Sequence, residues 1–264
     1  MKAKPDITPA HSAHGRWFSF PKPNQQASLR LFCFPYAGGG AIIYRNWPAG
    51  LPKEIEVCAA QLPGHGNRHS EPLYGRLEPL VEAIVPAILP YLDKPFAFFG
   101  HSMGALISFE LARRLRDAYR LEPVYLLVSG RAAPQTPKSE RRTYDLPEPE
   151  FVEELRRLNG TPQQLLDDPE ILQITLPILR ADFAICQTYR FAPERPLSCP
   201  LMVFGGVEDD EMSQEALDAW RQQTTGFFSL QMMPGDHFFL NASQPQLLKI
   251  ISQRLSRFVF NGHF

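Results

Sequence analysis

The chain has 264 residues, 44% of them hydrophobic, with 27 basic against 28 acidic side chains. That length and apolar content suit one compact unit with a sizeable core, of a size that α/β folds often reach undivided. The even charge leaves no sequence-wide positive field, which sets nucleic acid aside as a partner.

Residues 1–15 carry two early lysines with no apolar run behind them, so no secretory signal is expected. No stretch reaches the roughly 18 uninterrupted apolar residues of a membrane span, so no membrane partner is expected either. Strand-like runs then follow at 16–20, 29–34 and 56–60. The next element reads as a helix, because Leu77, Leu80, Val81, Ile84, Val85, Ile88, Leu89 and Leu92 share one stripe at helical spacing. Pro86 and Pro90 are expected to kink or shorten it. A strand at 96–99 leads into a second helix that starts just after Ser102 and ends near the basic Arg113, Arg114 and Arg116. Further strands are expected at 124–128, 201–204 and 228–232.

Several of these runs are apolar at almost every position, as strands of a parallel sheet covered on both faces are. The segment 131–196 breaks the rhythm. It is rich in proline and charge, has helical patterns at 151–158 and 171–189, and offers no convincing strand. An insertion of that kind between two strands reads as a helical lid over a functional edge. The expected organisation is therefore a single domain over 1–264 with a lid at about 131–196.

Cys33, Cys58, Cys186 and Cys199 are scattered, without a C-x-x-C pair or metal-ligand spacing. They read as reduced structural thiols in a cytoplasmic protein. No metal and no cofactor is expected. The glycine run 38–40 lies in neither a G-x-G-x-x-G nor a Gly-Lys-Ser/Thr pattern, so nucleotide binding is not favoured.

Chemistry concentrates at Gly100-His101-Ser102-Met103-Gly104, a G-x-S-x-G pentapeptide with a strand before it and a helix after it. A nucleophilic serine on such a turn needs small neighbours, and the following helix offers N–H groups to developing negative charge. The combination is that of the α/β-hydrolase fold. Its chain order of Ser, acid, His makes His237 the base, because it follows the strand ending near Met233 and its only rival, His263, is the penultimate residue. The acid belongs on the loop after 201–204, where Glu208, Asp209, Asp210 and Glu211 stand in a row. Holding the histidine tautomer calls for a short buried side chain, which leaves Asp209 or Asp210. One oxyanion donor is expected to be the N–H of Met103, the other an N–H of the glycine-rich loop 35–40.

Phe34-Pro35-Tyr36-Ala37-Gly38-Gly39, Gln61-Leu62-Pro63-Gly64, Phe98-Phe99-Gly100-His101-Ser102-Met103-Gly104-Ala105 and Gly235-Asp236-His237-Phe238-Phe239-Leu240 together resemble the type II thioesterases. These are stand-alone editing enzymes of nonribosomal peptide and polyketide synthesis. The likeness runs in order from Trp17 to about Arg257, with supporting matches at Glu71-Pro72, Gly130-Arg131 and Trp220.

The resemblance implies hydrolysis of acyl or aminoacyl thioesters from the phosphopantetheine arm of acyl or peptidyl carrier proteins. It implies Asp209 as the acid, three residues after Gly206, and Ala37 and Met103 as the oxyanion-hole donors. The chain departs from the family pattern at His65, where an arginine commonly follows Leu-Pro-Gly; His65 precedes the nucleophile and is read as a loop residue. The alternatives are a general carboxylester hydrolase or lipase-like enzyme, an acyl-transferring or cyclising thioesterase, and a binding protein on a hydrolase scaffold.

Overall fold

The computed structural model describes residues 16–137, 142–158, 160–161 and 163–260. The expectations for residues 1–15 and for His263 lie outside the described residues.

Seven strands form one sheet: β1 (Phe18–Ser19), β2 (Leu29–Phe34), β3 (Ile55–Ala60), β4 (Phe96–His101), β5 (Tyr125–Ser129), β6 (Leu201–Gly206) and β7 (Phe228–Met233). Their spatial order is β1-β3-β2-β4-β5-β6-β7. Every pairing is parallel except that of β1 with β3. β1 is shorter than its sequence suggests, an edge strand of two residues closing one side of the sheet.

The pleat sorts the strands' side chains into two cores. Phe32, Phe34, Phe98, Leu126, Val128 and Val203 face one way, against α1 (Leu77–Ile88) and α2 (Met103–Tyr119). Leu31, Cys33, Ala97, Phe99, Leu127 and Phe204 face the other way. That second face is covered by α8 (Gln244–Phe260) through Leu247, Leu248, Ile251, Leu255 and Val259, a helical stripe that the strand-centred reading passes over.

Pro86 lies inside α1, which runs on to Ile88 before a 3₁₀ turn at Leu89–Tyr91. Pro86 and Glu82, the residue whose carbonyl loses its partner, are both exposed, so water can satisfy that oxygen. Arg113 and Arg116 are not solvated at the end of α2 but buried, and both bind Glu194, at 2.6 and 2.9 Å. Their partners fasten the return of the chain from the inserted helices to the sheet.

Between β5 and β6 stand α3 (Glu148–Leu158), α4 (Gln163–Leu166) and α5 (Pro169–Thr188). α4 is too short to announce itself by periodicity. Asp168 caps α5 by accepting the N–H groups of Glu170 and Ile171 at 3.0 and 3.2 Å. Phe151, Val152, Leu155, Leu166, Leu176 and Leu179 form a small core of their own, separate from the two on the sheet. The short helices α6 (Gln214–Asp218) and α7 (Phe239–Ala242) complete the fold.

Candidate active site

Ser102 stands at the turn from β4 to α2 with φ 53° and ψ −109°. For a side-chain-bearing residue this conformation costs about 1–3 kcal/mol, and it persists only where its surroundings impose it. Here they do. The Ser102 N–H donates to Ser129 O on β5 at 2.8 Å, anchoring the turn to the sheet. A Cβ on Gly100 would lie 2.0 Å from Gly104 O, and one on Gly104 would lie 2.0 Å from Phe34 O. Both glycines of the pentapeptide are thus required by close backbone approach, which lets the helix start immediately and project Ser102 above the strand ends.

His237 follows β7, and Asp209 follows β6. Their loops are zipped together, since Val207 N–H donates to Met233 O at 2.9 Å and Glu208 N–H to Gly235 O at 3.0 Å. Across that junction His237 Nδ1 lies 2.7 Å from Asp209 Oδ2. The Asp209 side chain is only 1% exposed, and its other oxygen accepts the Glu211 N–H at 3.0 Å. Glu208, Asp210 and Glu211 point to solvent. Of the four adjacent carboxylates, burial and contact single out Asp209.

Ser102, His237 and Ala37 line one cavity of about 400 Å³. Its floor is the sheet edge, with Tyr36 and Phe238. Its roof comes from the inserted helices, with Leu155 of α3 and Leu179 and Phe183 of α5. Met103 opens α2, so its N–H has no acceptor within the helix. Ala37 sits in a tight turn closed by Gly39 N–H donating to Tyr36 O at 2.9 Å. Tyr36 and Phe238 pack edge to face at 5.1 Å, and the His101 ring lies 5.1 Å from that of His237.

His101 was no more than a motif position in the sequence, yet it is wholly buried beside His237, with Nδ1 2.8 Å from Ser129 Oγ. Burial, reinforced by the neighbouring His237, holds its pKa well below the ordinary histidine value. His101 is therefore an uncharged shelf for the His237 ring.

His65 belongs to a loop, as expected, but it is buried there and bonded through both ring nitrogens, one of them to Asp182 of α5. Nothing in the spacing of the sequence joins those two residues. Burial also raises the Cys33 and Cys58 thiols well above their usual range and Cys199 to about 12, so all three stay protonated. Cys186 differs in lining the cavity. Among the described residues, no three His, Cys, Asp or Glu side chains are grouped to hold a metal ion. Nor is any helix among them long and apolar enough to cross a membrane.

A family model for the thioesterase domain matches residues 29–255. The chain is 48% identical over 240 residues to the gramicidin S biosynthesis protein GrsT of Aneurinibacillus migulanus, covering 91% of this chain and 94% of that protein. It is 47% identical over 252 residues to linear gramicidin dehydrogenase LgrE of Brevibacillus parabrevis, covering 94% and 96%. Among solved structures, the type II thioesterase BorB from the borrelidin biosynthetic cluster superimposes with a TM-score of 0.84 at 34% identity, covering 93% of this chain and 99% of that one. ClbQ, from the colibactin pathway, also reaches a TM-score of 0.84, at 30% identity, covering 89% of this chain and 100% of that one. The chain belongs to the thioesterase family, as a thioester hydrolase of the type II kind.

Proposed function

We propose that this enzyme removes acyl and aminoacyl groups from the phosphopantetheine arms of carrier proteins in nonribosomal peptide or polyketide synthesis. It does so through Ser102, His237 and Asp209 and a covalent acyl-enzyme. The observation that carries the chemistry is the 2.7 Å contact of buried Asp209 with His237 Nδ1, in the cavity that Ser102 also lines. The assembly-line setting is supported by the relatives from gramicidin, borrelidin and colibactin biosynthesis.

Asp209 accepts the Nδ1 proton of His237, which leaves Nε2 free to act as a base. As Ser102 Oγ attacks the thioester carbonyl carbon, its proton passes to His237 and the carbonyl oxygen becomes an oxyanion. The N–H groups of Met103 and Ala37 receive that charge in a site that excludes much of the water. Collapse breaks the C–S bond, the sulfur leaves with the proton from His237, and the acyl group stays on Ser102. A water molecule, deprotonated by His237, then repeats the attack, releasing the free acid and restoring Ser102.

The helices inserted at about 131–196 act as a lid on a single domain spanning 1–264, bordering the path of the arm. An editing enzyme accepts many acyl groups, so the arm and the carrier surface supply the binding common to all of them. The free cysteines suit a cytoplasmic setting. The test is to load carrier proteins with several acyl groups, add the enzyme and follow loss of the acyl mass by intact-protein spectrometry. Release of free acids, with kcat/KM higher on carriers than on matching N-acetylcysteamine thioesters, is expected. Equal efficiency on short thioesters or simple esters would replace this reading with a general ester hydrolase, and a cyclic product with an acyl-transferring enzyme.

A further inference from the structure

Asp182 lies on α5 with 1% of its surface exposed, and His65 lies in the loop after β3 with 4% exposed. One carboxylate oxygen, Asp182 Oδ2, accepts two bonds: from the N–H of Gly38 at 2.7 Å and from His65 Nε2 at 2.9 Å. The other ring nitrogen of His65, Nδ1, faces Pro63 O at 2.9 Å. Both ring nitrogens meet acceptors, so both carry protons and the ring is an imidazolium. Burial pulls the His65 pKa down, but the bond and charge of Asp182, with help from Pro63 O, outweigh it and leave the pKa raised. The other charge facing His65 is Arg68 of its own loop, which opposes protonation and is itself paired with Glu71 at 2.6 Å.

The pair has a clear mechanical target. Gly38 directly follows Ala37 and has φ +77°, so the N–H held by Asp182 belongs to the peptide that ends the Ala37 residue. Leu179, one turn before Asp182, fills the place where a Gly38 side chain would stand, 2.6 Å from that Cβ position. The loop under His65 is also tied to the far end of the same turn. Gln61 donates to His65 O at 2.7 Å and accepts the Ala41 N–H at 3.1 Å.

We infer that His65 and Asp182 are positioning residues for the oxyanion hole: Asp182 grips the Gly38 N–H and so aims the N–H of Ala37, while His65 holds the Asp182 carboxylate in place. This rests on the assignment of Ala37 as an oxyanion donor. Because Asp182 belongs to the helical cover, the hole is complete only when α5 is seated on the 36–40 turn. Substrate closure and transition-state stabilisation are then one event.

The test measures kcat and KM for Asp182→Asn, His65→Ala and His65→Arg on one acyl-carrier substrate, with kcat expressed per Ser102 titrated by a fluorophosphonate so that misfolded protein is not counted. Deleting an oxyanion donor costs about 10²–10³ in kcat, so misaiming one is expected to cost about tenfold or more. That loss is expected in Asp182→Asn and His65→Ala, with KM within about twofold of wild type. His65→Arg, which restores a cationic donor toward Asp182, is expected to recover most of it. A kcat per site unchanged in Asp182→Asn, a change confined to KM, or no recovery in His65→Arg would overturn the inference. If the single variants do not fold, the double variant H65Q/D182N leaves no unpaired buried charge. Its kcat is expected to fall as well, and wild-type kcat there would equally overturn the idea. The parent assignment fails in a different way, by absence of fluorophosphonate labelling at Ser102 in the wild-type enzyme.

Discussion

The sheet edge bearing Ser102, Asp209 and His237 and the helices that roof it are held by different means. β4, β5 and β6 are buried at every position, and the loops leaving β6 and β7 are cross-bonded. Among the described residues the roof has a core of six buried side chains, and its rim is tied by exposed ion pairs such as Arg157 with Glu211 at 2.7 Å. A small core and surface ion pairs open at low cost, whereas a doubly buried sheet does not. The groups proposed to react thus sit where geometry is fixed, and the part proposed to meet varied acyl groups sits where it can adapt. Asp182 differs from that rim, as a buried point of the roof bonded to the rigid half.

Changes at the rigid edge are expected to be the most damaging. Ser102→Ala is expected to lower kcat by about 10⁶, the scale of losing a serine nucleophile, with an unchanged circular dichroism spectrum. A fluorophosphonate is expected to label Ser102 in the wild type and nothing at that rate in the variant; equal labelling of both would remove Ser102 from the mechanism. Asp209→Asn follows at about 10⁴ in kcat, since it disturbs the tautomer of His237. The exposed Asp210→Asn is expected to stay within a few-fold, and a reversal of the two would break the assignment of the acid.

Changes to the roof are expected to redirect rather than abolish activity. Leu155→Ala enlarges the cavity, and with a pocket methylene worth about 1–3 kcal/mol, preference is expected to move toward bulkier acyl groups by about tenfold. Competition between two acyl-carriers in one tube reads this directly; an unchanged ratio would mean that α3 does not contact the acyl group. The smallest effect belongs to the rim. Arg157 is 52% exposed, so Arg157→Gln is expected to change stability by less than about 1 kcal/mol, and salt is expected to mask even that.

The link between roof and edge has its own pH signature. The folded pKa of His65 is raised, so its contribution to stability is complete below its unfolded value and is lost as pH rises through the folded one. Thermal melts of the wild type are expected to lose that increment over this window, while His65→Gln shows no such step. Parallel curves for the two proteins would argue that His65 is neutral in the fold.

Much of this was legible because its signals are local. The strands announced themselves as apolar runs, with ends shifted by a residue or two. The elbow around Ser102 was readable because five consecutive residues hold both the candidate nucleophile and the glycines that its turn needs. His237 was proposed from chain order and Ala37 from family likeness, and both line the cavity that Ser102 lines. α8 had a helical stripe that could have been read, whereas the four-residue α4 had too little sequence to show a period.

What remained for the tertiary structure was partnership and burial. Glu208, Asp209, Asp210 and Glu211 are chemically close in sequence, and only packing makes one of them inaccessible and brings it to His237. His65 and Asp182 are 117 positions apart. A sequence records that a histidine and an aspartate exist, but the free energy of a charged pair depends on distance and dielectric, and both are set by the fold. The same holds for Arg113 and Arg116, surface cations by composition and buried anchors in the molecule, because Glu194 arrives from the far side of the inserted helices. Local chemistry chose the residues able to react; long-range packing decided which of them meet, and in what state of charge.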